Sequence, residues 1–362
     1  MNIGLLGFGV VGRGVYEITC ARTDMQVTKV LCLEEINLPD AQAVKNIRDI
    51  VEDETIDTVV EAMGGLHPAY EFVRAAIEAG KNVVTSNKAL VCTFYDELLP
   101  LANAKGVCFR STAAVGGGIG WLSELERARR VQKINEVGGI MNGTCNYILD
   151  NMTRLGGDYA EANPSTDVDG IDTWHKLIIS SNVAFGITLD KSGVPVAGIR
   201  HITAADVEEF KAHGYVCKLV STGKNQDGRI QAYVQPTLFG AGDLEAAVPT
   251  NYNLITLDGE SSGRQSLFGQ GAGRYPTAYN VVEDLVDLTR GNGFYAPYGQ
   301  KVQAENDEKR SYYIRGGDQS LFAGDVAENW GSAIVTKPLS VTEVHNWLKE
   351  NEGAFIAALP EA

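Results

Sequence analysis

MNIGLLGFGVVGRGVYEI, residues 1–18, is the stretch whose reading decides the fold. A short apolar run, Ile3–Leu6, enters Gly7-Phe8-Gly9-Val10-Val11-Gly12, and helix-like sequence continues to about Cys20. This is the GxGxxG pattern in the context it requires, a strand before it and a helix after. Gly7 permits the tight turn, Gly9 lets backbone approach a pyrophosphate, and Gly12 lets helix and strand pack closely. Free N–H groups and the macrodipole at a helix N-terminus favour the negative charge of phosphates. Residues 7–12 are therefore candidate dinucleotide contacts. The pattern alone is weak, because 40 glycines are spread along the chain; its place after the first strand strengthens it.

Working outward, strand-like and helix-like stretches alternate through the first 120 residues or so. Val27–Leu33 reads as a second strand, Asp57–Glu61 as another and Asn82–Thr85 as a fourth. Pro68–Ala79 has helical periodicity and ends at Gly80, a C-cap residue. Such alternation predicts an α/β fold, a Rossmann-type doubly wound parallel sheet. Ligands of these sheets bind outside the carboxyl ends of the strands, which puts Met63-Gly64-Gly65 and Ser86-Asn87-Lys88 at the cofactor crevice. Val115-Gly116-Gly117-Gly118-Ile119-Gly120 reads as a close-approach loop. Ile134–Tyr147, Arg229–Val234 and Asn253–Leu257 read as strands of a second sheet, and Asp206–Ala212 as a helix. Gly269-Gln270-Gly271-Ala272-Gly273 leads into an amphipathic helix, Ala278–Leu288, read as a return to the first domain. The expected organisation is a nucleotide-binding domain over 1–125, completed by about 260–300. An inserted α+β catalytic domain spans 126–259, and a C-terminal extension, 301–362, carries a helix over Val341–Glu350 capped by Ser340.

Composition narrows the partners. With 362 residues, 44% apolar and 21% charged, the chain suits a two-domain globular protein. A net charge of −15 disfavours nucleic acid and anionic membranes. No apolar run approaches a membrane span and nothing resembles a targeting peptide, so a cytoplasmic location is expected. Six scattered cysteines with no CxxC pair read as small core residues. The five histidines show no metal spacing.

The stretch YAEANPSTDVDGIDTWHK, residues 159–176, carries the chemistry. Asp158, Glu161, Asp167, Asp169 and Asp172 precede Lys176, and Asp172 shares a helical face with Lys176 at i,i+4. Crowded acids suit a cationic ligand, and the lysine suits proton exchange. Alone, this would read as a solvated helix pair worth a few tenths of a kcal/mol. The acids also imitate half an EF-hand, but that register puts Lys176 where a bidentate glutamate belongs, which rejects calcium.

Six motifs together resemble homoserine dehydrogenase. They are VVEAMGG at 59–65, AGKNVVTSNKAL at 79–90, VGGG at 115–118, GIMNGTCNYIL at 139–149, YAEANPSTDVDGIDTWHK at 159–176 and GQGAGRYPTA at 269–278. They stand in the family's order and cover roughly residues 1–290. The resemblance implies reversible NAD(P)-dependent oxidation of L-homoserine to L-aspartate 4-semialdehyde, in the biosynthesis of threonine and methionine. It implies that Lys176 is the proton donor and acceptor and that Lys88 is a second active-site lysine contacting cofactor and substrate. Glu161 and Asp172, with Asp167, become substrate-binding carboxylates; Gly64 and Gly271 join the cofactor contacts. A homodimer paired through the inserted sheet is also implied. The local chemistry agrees: acids can hold an α-ammonium, and a charged lysine can protonate a new alkoxide.

Three departures modify the picture. After the second strand, where the family often has an arginine for the 2′-phosphate of NADP, this chain has Leu31-Cys32-Leu33-Glu34-Glu35. Glu34 would accept from a ribose 2′-OH and repel a phosphate, so NAD is expected to be preferred over NADP. Main-chain carbonyls of Val115, Gly117 and Ile119 are the implied ligands of a sodium-type ion. The family's glutamate there is Thr112, a neutral oxygen, which argues against that site. Tyr312-Tyr313-Ile314-Arg315 resembles the opening of a regulatory ACT module, but the residues after it are too few for a whole one, so weak or absent threonine feedback is expected. The alternatives to weigh are a related dehydrogenase of another small amino-acid aldehyde or alcohol, and a non-catalytic nucleotide-binding sensor.

Overall fold

Six parallel strands form the first sheet, in the order β3-β2-β1-β4-β5-β6. They are β1 Asn2–Leu6, β2 Gln26–Leu31, β3 Gln42–Val44, β4 Thr58–Glu61, β5 Asn82–Thr85 and β6 Phe109–Arg110. The structure, a computed structural model, describes residues 1–157, 165–291 and 299–360. Strands β1, β4 and β5 are buried along almost their whole length, as a sheet covered on both faces requires. The order reverses between β1 and β4, the switch point at which such sheets bind ligands. Strand β2 stops at Leu31, two residues short of the sequence reading, and Leu33 lies in the open at 96% exposure. The short strands β3 and β6 gave no periodic signal.

The chain divides into two compact units. One comprises residues 1–131, 182–188 and 269–300; the other comprises 132–181, 189–268 and 301–362. In the first, helices Val10–Cys20 and Arg274–Thr289 share one core with the sheet, built from Ile3, Leu5, Val15, Val30, Val281 and Leu285. The helix expected over Ala278–Leu288 starts one turn earlier, at Arg274. Gly14 sits where the two helices meet, since a Cβ there would come within 2.9 Å of Ala278 Cβ.

The second sheet has nine strands, ordered Gly263–Gln270, Tyr252–Gly259, Ile134–Ile140, Tyr215–Gln226, Arg229–Gly240, Phe355–Ala358, Tyr312–Arg315, Ala333–Thr336 and Val326–Trp330. A long antiparallel hairpin, 215–240, turns on Asp227-Gly228, both with positive φ, the two-residue turn that matches strand twist. The stretch Ile134–Tyr147 is not one strand. It ends at Ile140, and a helix, Gly143–Leu155, begins because the Asn142 side chain accepts from the Cys145 N–H at 2.7 Å. Residues 312–358 add four strands to this sheet and the helix Val341–Glu350, capped by Ser340 as expected. Their core is Tyr312, Ile314, Phe322, Trp347 and Ile356. Among the described residues no helix is long and apolar enough to cross a membrane.

Candidate active site

In the first unit, Gly7 closes the β1 turn at φ +93°, and its N–H bonds to Leu31 O at 2.9 Å. A Cβ on Gly12 would lie 2.1 Å from Gly7 O, which fixes glycine at the third position of the motif. Gly9 differs. A Cβ there would meet no protein atom within 4 Å, so the demand for glycine is set by whatever approaches the turn from outside. No side chain caps the helix after it, so its first N–H groups face the same opening, beside Val10 at 61% exposure. The turn thus fits a dinucleotide pyrophosphate. Phe8 carries the Arg13 guanidinium over its ring at 5.2 Å, while Val11 packs inward against the core.

The carboxyl end of β4 lies next to that turn, since a Cβ on Gly7 would come 2.9 Å from Ala62 O. Gly64 and Gly65 both have positive φ with open space beside them. Their turn is shaped by Glu61, fully buried at the end of β4, which accepts from Met63 N at 2.8 Å and Gly64 N at 3.2 Å. Thr85 Oγ1 donates to the other oxygen of Glu61. Asn87 donates to Gly65 O at 2.6 Å and caps the helix Lys88–Lys105, which sets Lys88 at the first helical position beside the glycine turn. Glu61, Thr85 and Asn87 were not singled out from sequence as shaping groups. An acid closing an otherwise apolar strand, TVVE at 58–61, was the available signal.

Glu34 is exposed and pairs with Arg13 Nη2 at 3.3 Å. Lys45 holds the loop beneath it, donating to the carbonyls of Cys32, Leu33 and Glu34 at 3.0, 2.7 and 2.8 Å. These two cations beside Glu34 escaped the sequence reading. In the loop at 115–120, the Gly117 and Ile119 carbonyls accept from Asn280 Nδ2. Gly117 packs on Gly271, whose carbonyl carbon lies 2.5 Å from a Cβ built on Gly117.

In the second unit, Asp167, Asp172 and Lys176 converge. Lys176 Nζ lies 2.8 Å from Asp172 Oδ2 and donates to Met141 O at 2.6 Å. Asp172 is 5% exposed and Lys176 7%, so the solvated surface pair that i,i+4 spacing alone would favour is ruled out. Asn142 Nδ2 bridges the two acids, at 2.7 Å to Asp167 Oδ1 and 2.8 Å to Asp172 Oδ2. One asparagine therefore caps a helix with its carbonyl and gathers carboxylates with its amide. Burial and the nearby Asp167 and Asp172 charges push the Cys145 thiol well above its ordinary range, which keeps it protonated beside them. Glu161 lies outside the described residues.

An open glycine turn at the switch point of a Rossmann sheet defines the class: a dinucleotide-binding protein. Residues 121–286 match the family described as homoserine dehydrogenase, and residues 7–111 match its NAD-binding domain. The homoserine dehydrogenase of Bacillus subtilis (strain 168) is 32% identical over 349 residues, covering 87% of this chain and 81% of that protein. The enzyme of Synechocystis sp. is 35% identical over 316 residues, covering 80% and 73%. The crystal structure of a homoserine dehydrogenase from Thiobacillus denitrificans superposes with a TM-score of 0.86 at 29% identity, covering 100% of this chain and 98% of that one. The chain belongs to the homoserine dehydrogenase family, oxidoreductases that interconvert L-homoserine and L-aspartate 4-semialdehyde with NAD(P). The sensor and the other-substrate alternatives give way to it.

Proposed function

We propose that Lys176 is the proton donor and acceptor of this reaction, with Asp172, Asp167 and Glu161 holding the substrate's α-ammonium and Lys88 contacting cofactor and substrate. The observation that carries the reading is the buried Asp172–Lys176 pair, bridged to Asp167 by Asn142. A buried ion pair adds little stability over an apolar isostere, so its presence argues for a chemical use. Among the described residues Lys176 has two hydrogen-bond partners, Asp172 and Met141 O, and an ammonium has three N–H groups. The third is the one assigned to the substrate oxygen. In the reducing direction that N–H protonates the forming alkoxide; in the oxidising direction the amine takes the hydroxyl proton. The nicotinamide, when bound, supplies or accepts the hydride. Gly7, Gly9 and Gly12, with Phe8, Val10, Val11, Gly64 and Gly271, are proposed to line the site of the dinucleotide.

Glu34 is proposed to favour NAD over NADP, because its carboxylate accepts from a 2′-OH and repels a 2′-phosphate. Arg13 and Lys45 soften that repulsion, so the preference is expected to be modest and to hang on the one charge. Steady-state kinetics with both cofactors should show kcat/KM favouring NAD. Glu34→Gln should move the ratio toward NADP by about tenfold, roughly 1.4 kcal/mol. A wild type that strongly prefers NADP would refute the assignment.

The unit containing residues 1–131 is read as the nucleotide-binding domain, and the other as the catalytic and dimerisation domain, with residues 301–362 a shortened ACT-like remnant. A homodimer is supported by the outermost strand, Gly263–Gln270, exposed over most of its length with Phe268 at 55% exposure. Long bare edges invite pairing with a second chain. Light scattering should return twice the protomer mass; a monomer at micromolar concentration would remove this part. An enzyme drawing on NAD(P) for amino-acid synthesis is expected in the cytoplasm.

A further inference from the structure

The loop at 115–120 is closed by an amide where related chemistry would use an ion. Asn280, on the helix Arg274–Thr289 and only 2% exposed, donates Nδ2 to Gly117 O and, at 3.0 Å, to Ile119 O. Both partners are carbonyls, so the orientation of the amide is fixed by its bonds. Ile119 O receives a second donor, Trp121 N, at 2.7 Å. Two of the three carbonyls implied for a sodium-type ion are thus already satisfied.

The position of the family's glutamate, here Thr112, offers no charge. Thr112 is 3% exposed; its hydroxyl donates to Asp284 Oδ1 at 2.7 Å and lies 3.1 Å from Ser123 Oγ. The residues present do not fit the ion. A planar NH2 group presents two positive hydrogens, which suits two converging carbonyls and needs no anionic partner.

We infer that the Asn280 amide takes the place of a monovalent cation, so that this chain holds its glycine loop without one. Asn280 is a positioning residue. It ties the loop to the helix whose approach, Gln270–Gly273, is itself held by the 3.0 Å bond from Gly118 N to Gln270 O. An ion-free loop would keep its geometry whatever the salt.

The test compares the full-length protein in sodium, potassium and choline chloride at constant ionic strength. Wild type should show Tm within about 1 °C and kcat/KM within about twofold across the three salts, with no saturable 23Na line broadening. Asn280→Ala, which takes the donor from Gly117 O and leaves Ile119 O with Trp121 N alone, should lose about 4 °C or more of Tm in choline. If that variant does not fold, Asn280→Ser, keeping one donor, takes its place. Saturable sodium binding by wild type, or an alanine variant as stable as wild type, overturns the inference. Tm and 23Na readouts need no turnover, so they stand apart from the roles assigned to Lys176 and Lys88.

Discussion

Lys176→Ala should lower kcat about a thousandfold while NADH affinity, measured by its fluorescence, stays within about twofold. The first figure sits inside the 10²–10⁴-fold span of a positioned general acid or base. The second is expected because the glycine turn, not Lys176, is assigned to the cofactor's pyrophosphate. Loss of the lysine also leaves Asp172 buried without its counter-ion, so the variant must be shown folded at the assay temperature. Two further measurements separate chemistry from scaffold damage. Small primary amines added to Lys176→Ala should restore part of the rate, which repair of a packing defect would not do. Lys176→Arg keeps the charge but holds its protons too tightly to exchange them, and should stay nearly as slow as alanine. Retention of more than a tenth of kcat by Lys176→Ala would end the proton-transfer assignment.

Much of the first unit was legible because its signals are local. Gly7, Gly9 and Gly12 announce the turn, and Asn82–Thr85 is bounded by its own punctuation. Strands β3 and β6, at three and two residues, carry too little periodicity to be seen. They exist because neighbours supply the pairing. The hairpin at 215–240 was half hidden for another reason: its first strand, YVCKLVSTGKNQ, mixes polar residues into buried positions. Lys218 is the extreme case. At 1% exposure it donates to Asn146 Oδ1 and Val248 O, both at 2.8 Å, and burial pushes it down to about 8. A lysine in a strand reads as a solvent-facing residue until the acceptors around it are known.

The site was legible in its acids and lysines and opaque in what arranges them. Asp172 and Lys176 declare themselves by spacing. Asn142 reads from sequence as part of a turn supporting the site, or as a substrate contact, but not as the link between the acids. Its second task, bridging Asp167 and Asp172, depends on contacts 25 and 30 residues away along the chain. Glu61 and Asn280 are alike in this respect: each is an ordinary residue type held mainly to backbone groups, with the Thr85 hydroxyl besides for Glu61, and backbone groups leave no mark in a sequence. The predicted strand through Tyr147 failed for the same reason, because the cap that ends it is a side chain meeting an N–H.

Arg110→Ala should cost about 3–5 kcal/mol of unfolding free energy at pH 8, the largest stability loss expected of any single change in the first unit. Arg110 stands at the end of β6, 4% exposed, and bonds through Nε to Asp284 at 2.9 Å and through Nη2 to Asp287 at 2.8 Å. The two acids are unequal. Asp287 has a side chain 32% exposed, so water can replace its partner and it contributes little. Asp284 is 1% exposed and, among the described residues, would keep as donors Thr112 N, at 2.9 Å, and Thr112 Oγ1. Burial already pushes the Asp284 carboxyl up, with Arg110 opposing it. Without Arg110 the rise is larger, and this sets the sign: above its folded value the carboxylate carries an uncompensated charge, and below it the neutral acid needs no counter-ion. The deficit relative to wild type should therefore shrink as pH falls. Urea unfolding at pH 8 and pH 5.5 measures both quantities. Arg110→Met combined with Asp284→Asn, which removes both charges, should recover most of the loss at pH 8. A deficit independent of pH, or a double variant no better than Arg110→Ala, would mean that this pair holds β6 by packing rather than by charge.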